Sequence, residues 1–300
     1  MKILVAGGNG FIGRYLCWRL GELGHETVVL TRRPFVPATA ASRGVRWDGA
    51  SIAPDWLRAA GDCAAWINLC GEGIADSRWS KARKTVLQES RLAPTRALVA
   101  GLKEVVVKPK VLINASALGY YGETRAWAAD EAFSYGSGFL AQLCIAWERE
   151  ALKAATLGVR TVCLRLGVVL GADGGMLARL VPLFRLGLGG PWGDGRQWLS
   201  WISREDLAGL VAHLLAAKVS GAVNAVAPRP VTNGEFCRTL GRVLGRPAAL
   251  RVPSLVLRLV LGEMADALLL SQRASPKKAL DSGYVFRQPD LETALRNELC

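Results

Sequence analysis

Residues with the types and spacing that bind a pyrophosphate lie near the start of the chain. They are Gly7, Gly8, Asn9, Gly10, Phe11, Ile12 and Gly13. At this spacing the first glycine allows a tight turn, the second lets backbone N–H groups approach a phosphate, and the third lets a helix pack closely on a strand. A helix beginning here would direct its N-terminal N–H groups at the negative charge. We therefore predict a dinucleotide-binding turn, with a purely structural glycine turn as the alternative.

The end of the next apolar segment carries a second chemical signal. Glu26–Thr31 has a strand-like pattern, and Arg32 and Arg33 follow it directly. At this point an NAD-selective protein usually places a carboxylate for the ribose hydroxyls, whereas a cationic side chain accommodates the 2′-phosphate of NADP. Thr31 and Arg32 therefore favour NADP, unless the arginines are ordinary loop residues.

The hydrophobic pattern predicts the elements that position these residues. Short apolar runs predict strands at Lys2–Ala6, Glu26–Thr31, Val45–Asp48, within Ala64–Glu72, and at Val111–Ser116, Val159–Arg165 and Val223–Val226. Helical spacing predicts helices at Phe11–Leu23, Trp79–Val107 and Gly138–Leu157. Because Pro94 lies inside the second of these helices, we expect a break or kink there. The alternation of strand and helix predicts an α/β fold, a Rossmann-type doubly wound parallel sheet.

This alternation stops after about residue 171, which indicates how the chain is divided. Gly187–Trp201 is rich in glycine and tryptophan, and we interpret it as a substrate-facing loop within an insertion near 172–201. From residue 228 onward the pattern is chiefly helical. We predict a dinucleotide-binding domain over 1–227 and a smaller, mostly helical C-terminal lobe over 228–300. The lobe would close over the carboxyl ends of the strands, where such sheets bind ligands.

Composition argues against several other kinds of protein. The net charge is +13, but the basic residues are scattered, so we expect no nucleic-acid partner. With two histidines and seven cysteines, none in a Cys-x-x-Cys pair, we expect reduced cysteines and no metal site. Charged residues interrupt the apolar stretch Val252–Leu270, which favours amphipathic helices over a membrane span. The first predicted strand follows Met1 directly, so we expect a cytoplasmic protein without a targeting segment.

Taken together, these stretches resemble the extended short-chain dehydrogenase/reductase superfamily, and within it the atypical epimerase-like group related to sugar-nucleotide epimerases. The motifs that carry the resemblance are Gly-Gly-Asn-Gly-Phe-Ile-Gly at 7–13, Asn-Leu-Cys-Gly-Glu at 68–72, Ser-Ala-Leu-Gly-Tyr-Tyr-Gly at 116–122, Arg-Leu-Gly-Val-Val-Leu-Gly at 165–171, Phe-Arg-Leu-Gly-Leu-Gly-Gly-Pro at 184–191 and Trp-Ile-Ser-Arg-Glu-Asp-Leu-Ala at 201–208. They occur in the same order over essentially the whole chain. The tail from about residue 248 resembles the small C-terminal domain of unknown function found in this group.

The resemblance implies cofactor contacts at particular positions. The turn from Gly7 to Gly13 would contact the pyrophosphate, and Thr31 and Arg32 would contact the adenosine phosphate. The other implied contacts, from strand ends and one helix, are Leu69, Cys70, Gly71, Ser90 or Arg91, and Val168. The implied cofactor is therefore NADP, held at the carboxyl edge of the sheet.

The residues that handle protons in this superfamily are replaced here. Relatives combine a Ser or Thr near the end of the fifth strand with Tyr-x-x-x-Lys on the following helix, whose lysine lowers the tyrosine pKa. Aligned on Glu148, the tyrosine and lysine positions fall on Leu140 and Cys144. The nearest substitutes are Ser116, Tyr120 and Tyr121. A tyrosine with an ordinary pKa near ~10 is a poor base, so these residues either catalyse or form the pocket wall.

Two functions stay open at this point. The first is an NADP-dependent oxidoreductase or epimerase-like enzyme acting on an unknown small carbonyl, hydroxyl or nucleotide-sugar-like substrate, with Ser116 and Tyr120 or Tyr121 assisting hydride transfer. The second is a non-catalytic protein that binds NADP as a regulatory ligand. The missing Tyr-x-x-x-Lys favours this second reading, and some members of the resembling group carry cell-division labels. The sequence predicts neither the substrate nor the oligomeric state.

Overall fold

The computed structural model describes residues 1–300. The strands, numbered in chain order, are β1 Lys2–Ala6, β2 Glu26–Thr31, β3 Ser42–Arg46, β4 Ala65–Asn68, β5 Val111–Ala117, β6 Arg160–Leu166, β7 Val168–Leu170, β8 Trp198–Leu199, β9 Trp201–Ser203, β10 Gly221–Ala225 and β11 Val231–Thr232. The helices are α1 Phe11–Glu22, α2 Pro54–Ala60, α3 Lys81–Glu104, α4 Phe139–Leu152, α5 Gly175–Arg185, α6 Arg204–Ala216, α7 Asn233–Leu244, α8 Ser254–Leu261, α9 Met264–Leu269, α10 Lys277–Asp281 and α11 Leu291–Leu299. Two 3₁₀ turns, at Leu118–Tyr121 and Lys153–Leu157, follow β5 and α4.

A seven-stranded sheet in the order β10-β6-β5-β4-β1-β2-β3 forms the centre of the molecule. All of its strand pairs are parallel. From β1 the chain builds outward through β2 to β3, then returns to the other side of β1 with β4. The direction of winding therefore reverses between β1 and β4, and their carboxyl ends form the crevice where such sheets bind ligands. The predicted doubly wound α/β fold is confirmed.

Buried side chains alternate along β1, so the sheet has a core on each face. Ile3 and Val5 belong to the core that packs against α1 and α6. Leu4 and Ala6 belong to the opposite core, which packs against α2 and α3. Because both faces are covered, the central strands consist of nearly continuous apolar residues, as is usual for parallel sheets.

The third strand and the third helix differ from the predictions. The strand pairs with β2 from Ser42 onward, and Trp47 N–H donates to Thr31 O at 3.0 Å beyond its end. The predicted range Val45–Asp48 was wrong in its bounds because this is an edge strand whose exposed polar side chains give no apolar alternation.

Of the break or kink predicted at Pro94, the break is wrong, because α3 continues through this residue. A proline inside a helix removes one hydrogen bond and costs about 3 kcal/mol. Here the ring is buried between helical neighbours that pack on the sheet, among them Leu92 and Leu98. Burial of this helix face against the core therefore outweighs the local cost of the proline.

The smaller C-terminal lobe, as predicted, is mostly helical. Its core brings α5, α7 and α11 together around Phe184, Phe236 and Leu295. Trp192 and Trp201 are buried in the same lobe, where their Nε1 groups donate to Leu268 O (3.0 Å) and Arg229 O (3.1 Å). These two tryptophans belong to a core, so our interpretation of Gly187–Trp201 as a substrate-facing loop was wrong for them.

After α10 the chain returns to the sheet domain before it enters α11. Asp206, fully buried in the first turn of α6, accepts hydrogen bonds from the backbone N–H groups of Arg287 (2.7 Å) and Gln288 (2.9 Å). The hydroxyl of Tyr284 donates to the same carboxylate at 3.1 Å. One buried carboxylate therefore holds the returning segment against the sheet domain.

We expect Asp206→Asn to lower the free energy of unfolding by about 2 to 4 kcal/mol. The amide would direct its NH₂ group at donors and leave a buried N–H without an acceptor. Urea unfolding followed by circular dichroism measures the loss. Asp281→Asn, which removes an exposed ion pair with Lys277, is the control and should change stability by less than about 1 kcal/mol. Equal losses in both variants would contradict the role given to Asp206.

Candidate functional site

The glycine turn after β1 is shaped by two close backbone contacts. Gly7 has φ +80°, a conformation that favours glycine. A Cβ added at Gly13 would lie 2.4 Å from Gly7 O and 2.6 Å from Gly8 Cα. Any side chain at Gly13 would therefore push α1 away from the turn. The glycines bring the start of α1 against the carboxyl end of β1, which is the arrangement that a bound pyrophosphate needs.

The first N–H groups of α1 point away from the protein's own acceptors. Gly10 precedes the helix without any side-chain cap, and the N–H groups of Phe11 and Ile12 have no acceptor in the protein. These groups and the positive end of the helix dipole fit a phosphate. The ring of Phe11 packs over Gly174, where an added Cβ would lie 2.3 Å from the ring. Phe11 thus fixes the start of α1 against the segment that leads into α5.

The end of β2 lies beside the glycine turn. Asn9 Nδ2 donates to Thr31 Oγ1 (3.1 Å) and to Pro34 O (3.2 Å), which joins the turn to this strand end. The side chain of Arg32 is exposed, and its Nη2 lies 3.2 Å from Oε1 of Glu72. The structure therefore places Arg32 next to the strand end that borders the glycine turn, together with a carboxylate that the sequence analysis did not single out.

The end of β4 lies on the other side of the same turn. Ala6 of β1 is paired with Leu30 on one side and Asn68 on the other, so Leu69, Cys70 and Gly71 emerge next to the turn. Asn68 is buried, and its Oδ1 accepts a hydrogen bond from Cys70 N–H at 3.1 Å. Burial raises the pKa of the Cys70 thiol to about 12, so this thiol is uncharged at neutral pH and is a poor nucleophile.

Ser90 and Arg91 of α3 hold the segment that follows β4. Ser90 Oγ accepts a hydrogen bond from Glu72 N–H (3.1 Å), and Arg91 Nη2 donates to Glu72 O (3.0 Å). Burial lowers the pKa of Arg91. An added Cβ at Gly71 would lie 3.2 Å from the Arg91 guanidinium carbon. In this structure both residues hydrogen-bond to the backbone of the segment after β4. The direct cofactor contact that the resemblance implies for one of them stays a prediction.

A buried polar network lies below the end of β5. Ser116 Oγ donates to Glu148 Oε1 at 2.7 Å. Arg165 of β6 donates to both oxygens of the same carboxylate, at 2.8 Å and 2.9 Å. Burial by itself lowers the pKa of Arg165, but the hydrogen-bonded Glu148 outweighs it and the net shift is upward. The Ser116 hydroxyl therefore donates its hydrogen bond to the buried ion pair between Glu148 and Arg165.

The two tyrosines of the 3₁₀ turn have different environments. Tyr121 is buried, and its hydroxyl donates to Asn224 Oδ1 (2.8 Å) and accepts from Arg165 Nη1 (2.8 Å). Burial raises the pKa of Tyr121 to about 12, against the opposing effect of Arg165. Tyr120 is only partly buried, and its ring lies 3.4 Å from the Arg165 guanidinium, a cation–π contact. Of the three predicted hydroxyl groups, only that of Tyr120 makes no hydrogen bond inside the protein.

The replaced Tyr and Lys positions face this same turn. An added Cβ at Gly119 would lie 3.1 Å from Leu140 Cβ and 3.6 Å from Cys144 Sγ. Desolvation raises the pKa of the buried Cys144 thiol to about 11, so it carries no charge at neutral pH. Val168, at the start of β7, is partly buried opposite Trp201 of β9. The two positions that the resemblance assigns to Tyr and Lys are therefore occupied here by an aliphatic side chain and an uncharged thiol.

The sequence singled out the glycine turn and the 3₁₀-turn tyrosines but not three residues beside them. These are Glu72, which pairs with Arg32, and Arg165 and Asn224, which contact Tyr121. Glu72 and Arg165 both stand inside motifs quoted for the resemblance, yet a motif does not reveal their partners. Asn224, buried in β10, carried no sequence signal of its own. A charged residue directly after the buried apolar run 162–164, as Arg165 is in β6, was the available signal for a buried ion pair.

Comparison with known proteins agrees with this geometry. A model of the NAD dependent epimerase/dehydratase family matches residues 3–226. The chain belongs to this family. A second model, a domain of unknown function (DUF1731), matches residues 252–298. The family resemblance predicted from the motifs is confirmed, including the small domain at the tail.

Several family members are similar over their whole length. An epimerase family protein of Mycobacterium bovis is 43% identical over 295 residues, which cover 98% of this chain and 96% of that protein. The crystal structure of human epimerase family protein SDR39U1 (isoform2) with NADPH matches with a TM-score of 0.89 and 37% identity, covering 99% of each chain. MoeE5 in complex with UDP-glucose and NAD, 19% identical with a TM-score of 0.79, shares the fold.

Three further properties of this family member concern the whole chain. None of its helices is both long and apolar enough to cross a membrane. No group of three or more His, Cys, Asp and Glu side chains is arranged to hold a metal ion. All seven cysteines are free thiols, and five of them are buried.

The buried hydroxyl of Tyr121 should make this family member lose stability at alkaline pH. The ordinary tyrosine pKa near ~10 applies to the unfolded chain, whereas the folded value is about 12. Between these values the unfolded chain releases a proton that the folded protein keeps, so stability falls as pH rises. We expect Tyr121→Phe to make this fall shallower by up to about 1.4 kcal/mol per pH unit.

The same variant should also lose about 1 to 3 kcal/mol at neutral pH, because Asn224 and Arg165 lose a partner. Urea unfolding at a series of pH values measures both effects. Tyr135→Phe, at an exposed tyrosine without a hydrogen bond, is the control at neutral pH. An alkaline slope in Tyr121→Phe as steep as in the wild type would contradict the assignment.

Proposed function

We propose that this epimerase-family protein is an NADP-dependent oxidoreductase acting on a small carbonyl or hydroxyl compound. The observation that carries the proposal is the cation Arg32 beside the glycine turn, in a chain similar over its whole length to a protein crystallised with NADPH. The free N–H groups at the start of α1 would bind the pyrophosphate, and Arg32 would bind the 2′-phosphate. Leu69, Cys70 and Gly71 would border the cofactor at the end of β4.

The proposed chemistry divides between the cofactor and the protein. Bound NADP(H) supplies hydride exchange at its nicotinamide ring. Tyr120 is the proposed source of the accompanying proton, because its hydroxyl makes no hydrogen bond inside the protein and its ring is fixed by Arg165. Ser116 and Tyr121, also predicted as catalytic candidates, would help to hold Arg165 against the Tyr120 ring. Ser116 does so through its hydrogen bond to Glu148, and Tyr121 through its hydrogen bond with Arg165.

The absence of a neighbouring lysine favours one direction of reaction. No lysine lies beside Tyr120, and the guanidinium of Arg165 contacts its ring face rather than its hydroxyl. This hydroxyl therefore has a proton to donate but no cation placed to help it accept one. The positions that hold Tyr and Lys in relatives are Leu140 and Cys144, which offer no base. We therefore propose reduction of a carbonyl group, in which the protein donates a proton, over oxidation of an alcohol. A nucleotide-sugar-like carbonyl compound is included in this class.

A second candidate is a non-catalytic protein that binds NADP as a regulatory ligand. The observation that favours it is that Ser116 and Tyr121 donate their protons to Glu148 and Asn224 rather than toward a substrate. In this case NADP would change which proteins the chain binds, and no substrate would be turned over.

Calorimetric titration with NADPH and an assay of NADPH consumption over carbonyl compounds, including oxidised nucleotide sugars, separate these candidates. The oxidoreductase predicts saturable NADPH binding and turnover of at least one compound. Binding without turnover, together with a partner retained on immobilised protein only when NADPH is present, would support the regulatory protein. Absence of NADPH binding would overturn both.

We expect Tyr120→Phe to lower kcat by about 100-fold or more, because it removes the proposed proton donor. The Kd for NADPH should stay within about twofold of the wild-type value, since the ring and its contact with Arg165 remain. Tyr135→Phe is the matched control, because its exposed ring stacks edge-on against Tyr120 at 6.3 Å. Full turnover in Tyr120→Phe would exclude this hydroxyl as the donor.

A further inference from the structure

An ion pair lies across the adenosine end of the candidate dinucleotide site. It joins Arg32, just after β2, to Glu72, just after β4, with 3.2 Å between Nη2 and Oε1. Strand β1 lies between these two strands in the sheet, and its glycine turn ends at the same edge. Neighbouring strands are about 4.8 Å apart, so the pair spans a gap of roughly 10 Å. The two side chains therefore meet above the turn that holds the dinucleotide.

The backbone of Glu72 is fixed at both ends by α3. Its N–H donates to Ser90 Oγ at 3.1 Å, and its carbonyl accepts from Arg91 Nη2 at 3.0 Å. Arg83 Nη2 donates to the next carbonyl, Gly73 O, at 2.7 Å. The backbone of Glu72 therefore stays in place when Arg32 leaves it, and the carboxylate remains within side-chain reach of this end of the site.

The pair is too exposed to be explained by stability. The side chains of Arg32 and Glu72 are 66% and 35% exposed. Exposed ion pairs of this kind contribute little to folding because water and salt screen them. Arg32 makes no other hydrogen bond with its guanidinium, so its contact with Glu72 is available for exchange.

We propose that Glu72 is a specificity-determining residue, a carboxylate that competes with the 2′-phosphate of NADP for Arg32. This inference rests on the proposed use of NADP. A 2′-phosphate must displace Glu72 from Arg32 and lie near a negative charge, which weakens NADPH binding. A dinucleotide with a free ribose 2′-hydroxyl leaves the pair intact, and a carboxylate is the group that accepts hydrogen bonds from ribose hydroxyls. Glu72 therefore reduces the ratio of the affinity for NADPH to the affinity for NADH.

The test is a double-mutant cycle between Glu72→Gln and Arg32→Ala, with Kd values for NADPH and NADH measured by calorimetry. In the wild-type background we expect Glu72→Gln to tighten NADPH binding by about three- to tenfold and to weaken NADH binding by about threefold. In the Arg32→Ala background, Glu72→Gln should tighten NADPH binding by about twofold or less, because Glu72 and the 2′-phosphate no longer compete for a cation. The fragment 2′,5′-ADP should show the same gain as NADPH.

Controls separate this effect from general charge and folding effects. Glu89→Gln removes the same charge from α3, where Glu89 pairs with Arg96 at 3.5 Å, and should leave both Kd values unchanged. The melting temperature of the ligand-free Glu72→Gln variant should stay within about 2 °C of the wild type, which shows that the variant folds.

The outcomes separate the inference from the proposed function. If wild-type protein binds NADPH but Glu72→Gln leaves its affinity unchanged or weaker, the role of Glu72 is overturned while NADP binding stands. An equal gain in the Arg32→Ala background would overturn competition for Arg32. If wild-type protein binds neither NADPH nor 2′,5′-ADP, the proposed function itself fails.

Discussion

The buried ion pair between Glu148 and Arg165 is the interaction on which the candidate active site depends. It joins α4 to β6, and through Ser116, Tyr121 and Asn224 it reaches β5, the 3₁₀ turn and β10. Asn224 in turn donates to Ser275 O, which connects the network to the C-terminal part of the chain. Such a pair adds little stability compared with apolar packing, but removing one partner leaves a buried charge and costs about 3 to 5 kcal/mol. The pair therefore fixes an arrangement more than it strengthens the fold.

This arrangement explains how the site differs from the superfamily pattern. Where the resemblance implies a lysine that activates a tyrosine, the chain has Cys144, and the cation that contacts Tyr120 and Tyr121 is Arg165. That arginine is occupied by Glu148 and contacts the face of the Tyr120 ring rather than its hydroxyl. The guanidinium of Arg165 therefore orients the aromatic rings of Tyr120 and Tyr121 in the 3₁₀ turn. This contact with the ring face is the basis for proposing that the protein donates a proton rather than removing one.

The sequence predicted those parts of the fold and site that depend on local pattern. The glycine turn is predictable because its spacing is local, and an added Cβ at Gly13 would meet Gly7 O only six residues away in the chain. Most of the strands were predictable because a sheet covered on both faces needs continuous apolar runs. The bounds of edge strand β3 were predicted wrongly because most of its side chains are exposed to solvent and give no apolar pattern. The contact between Arg32 and Glu72 could not be predicted, since residues far apart in sequence meet only through the strand order.

The path of the chain between the two lobes has a consequence for how such proteins evolve. Helix α5, from the middle of the sequence, completes the core of the C-terminal lobe, while Tyr284 and Phe286, from near its end, pack with the sheet domain. Asp206 secures that second crossing. The lobes are therefore interlaced and cannot be exchanged between relatives as cassettes cut at a single junction. A functional chimera would have to transplant α5, the tail and the residues they meet as one co-adapted set.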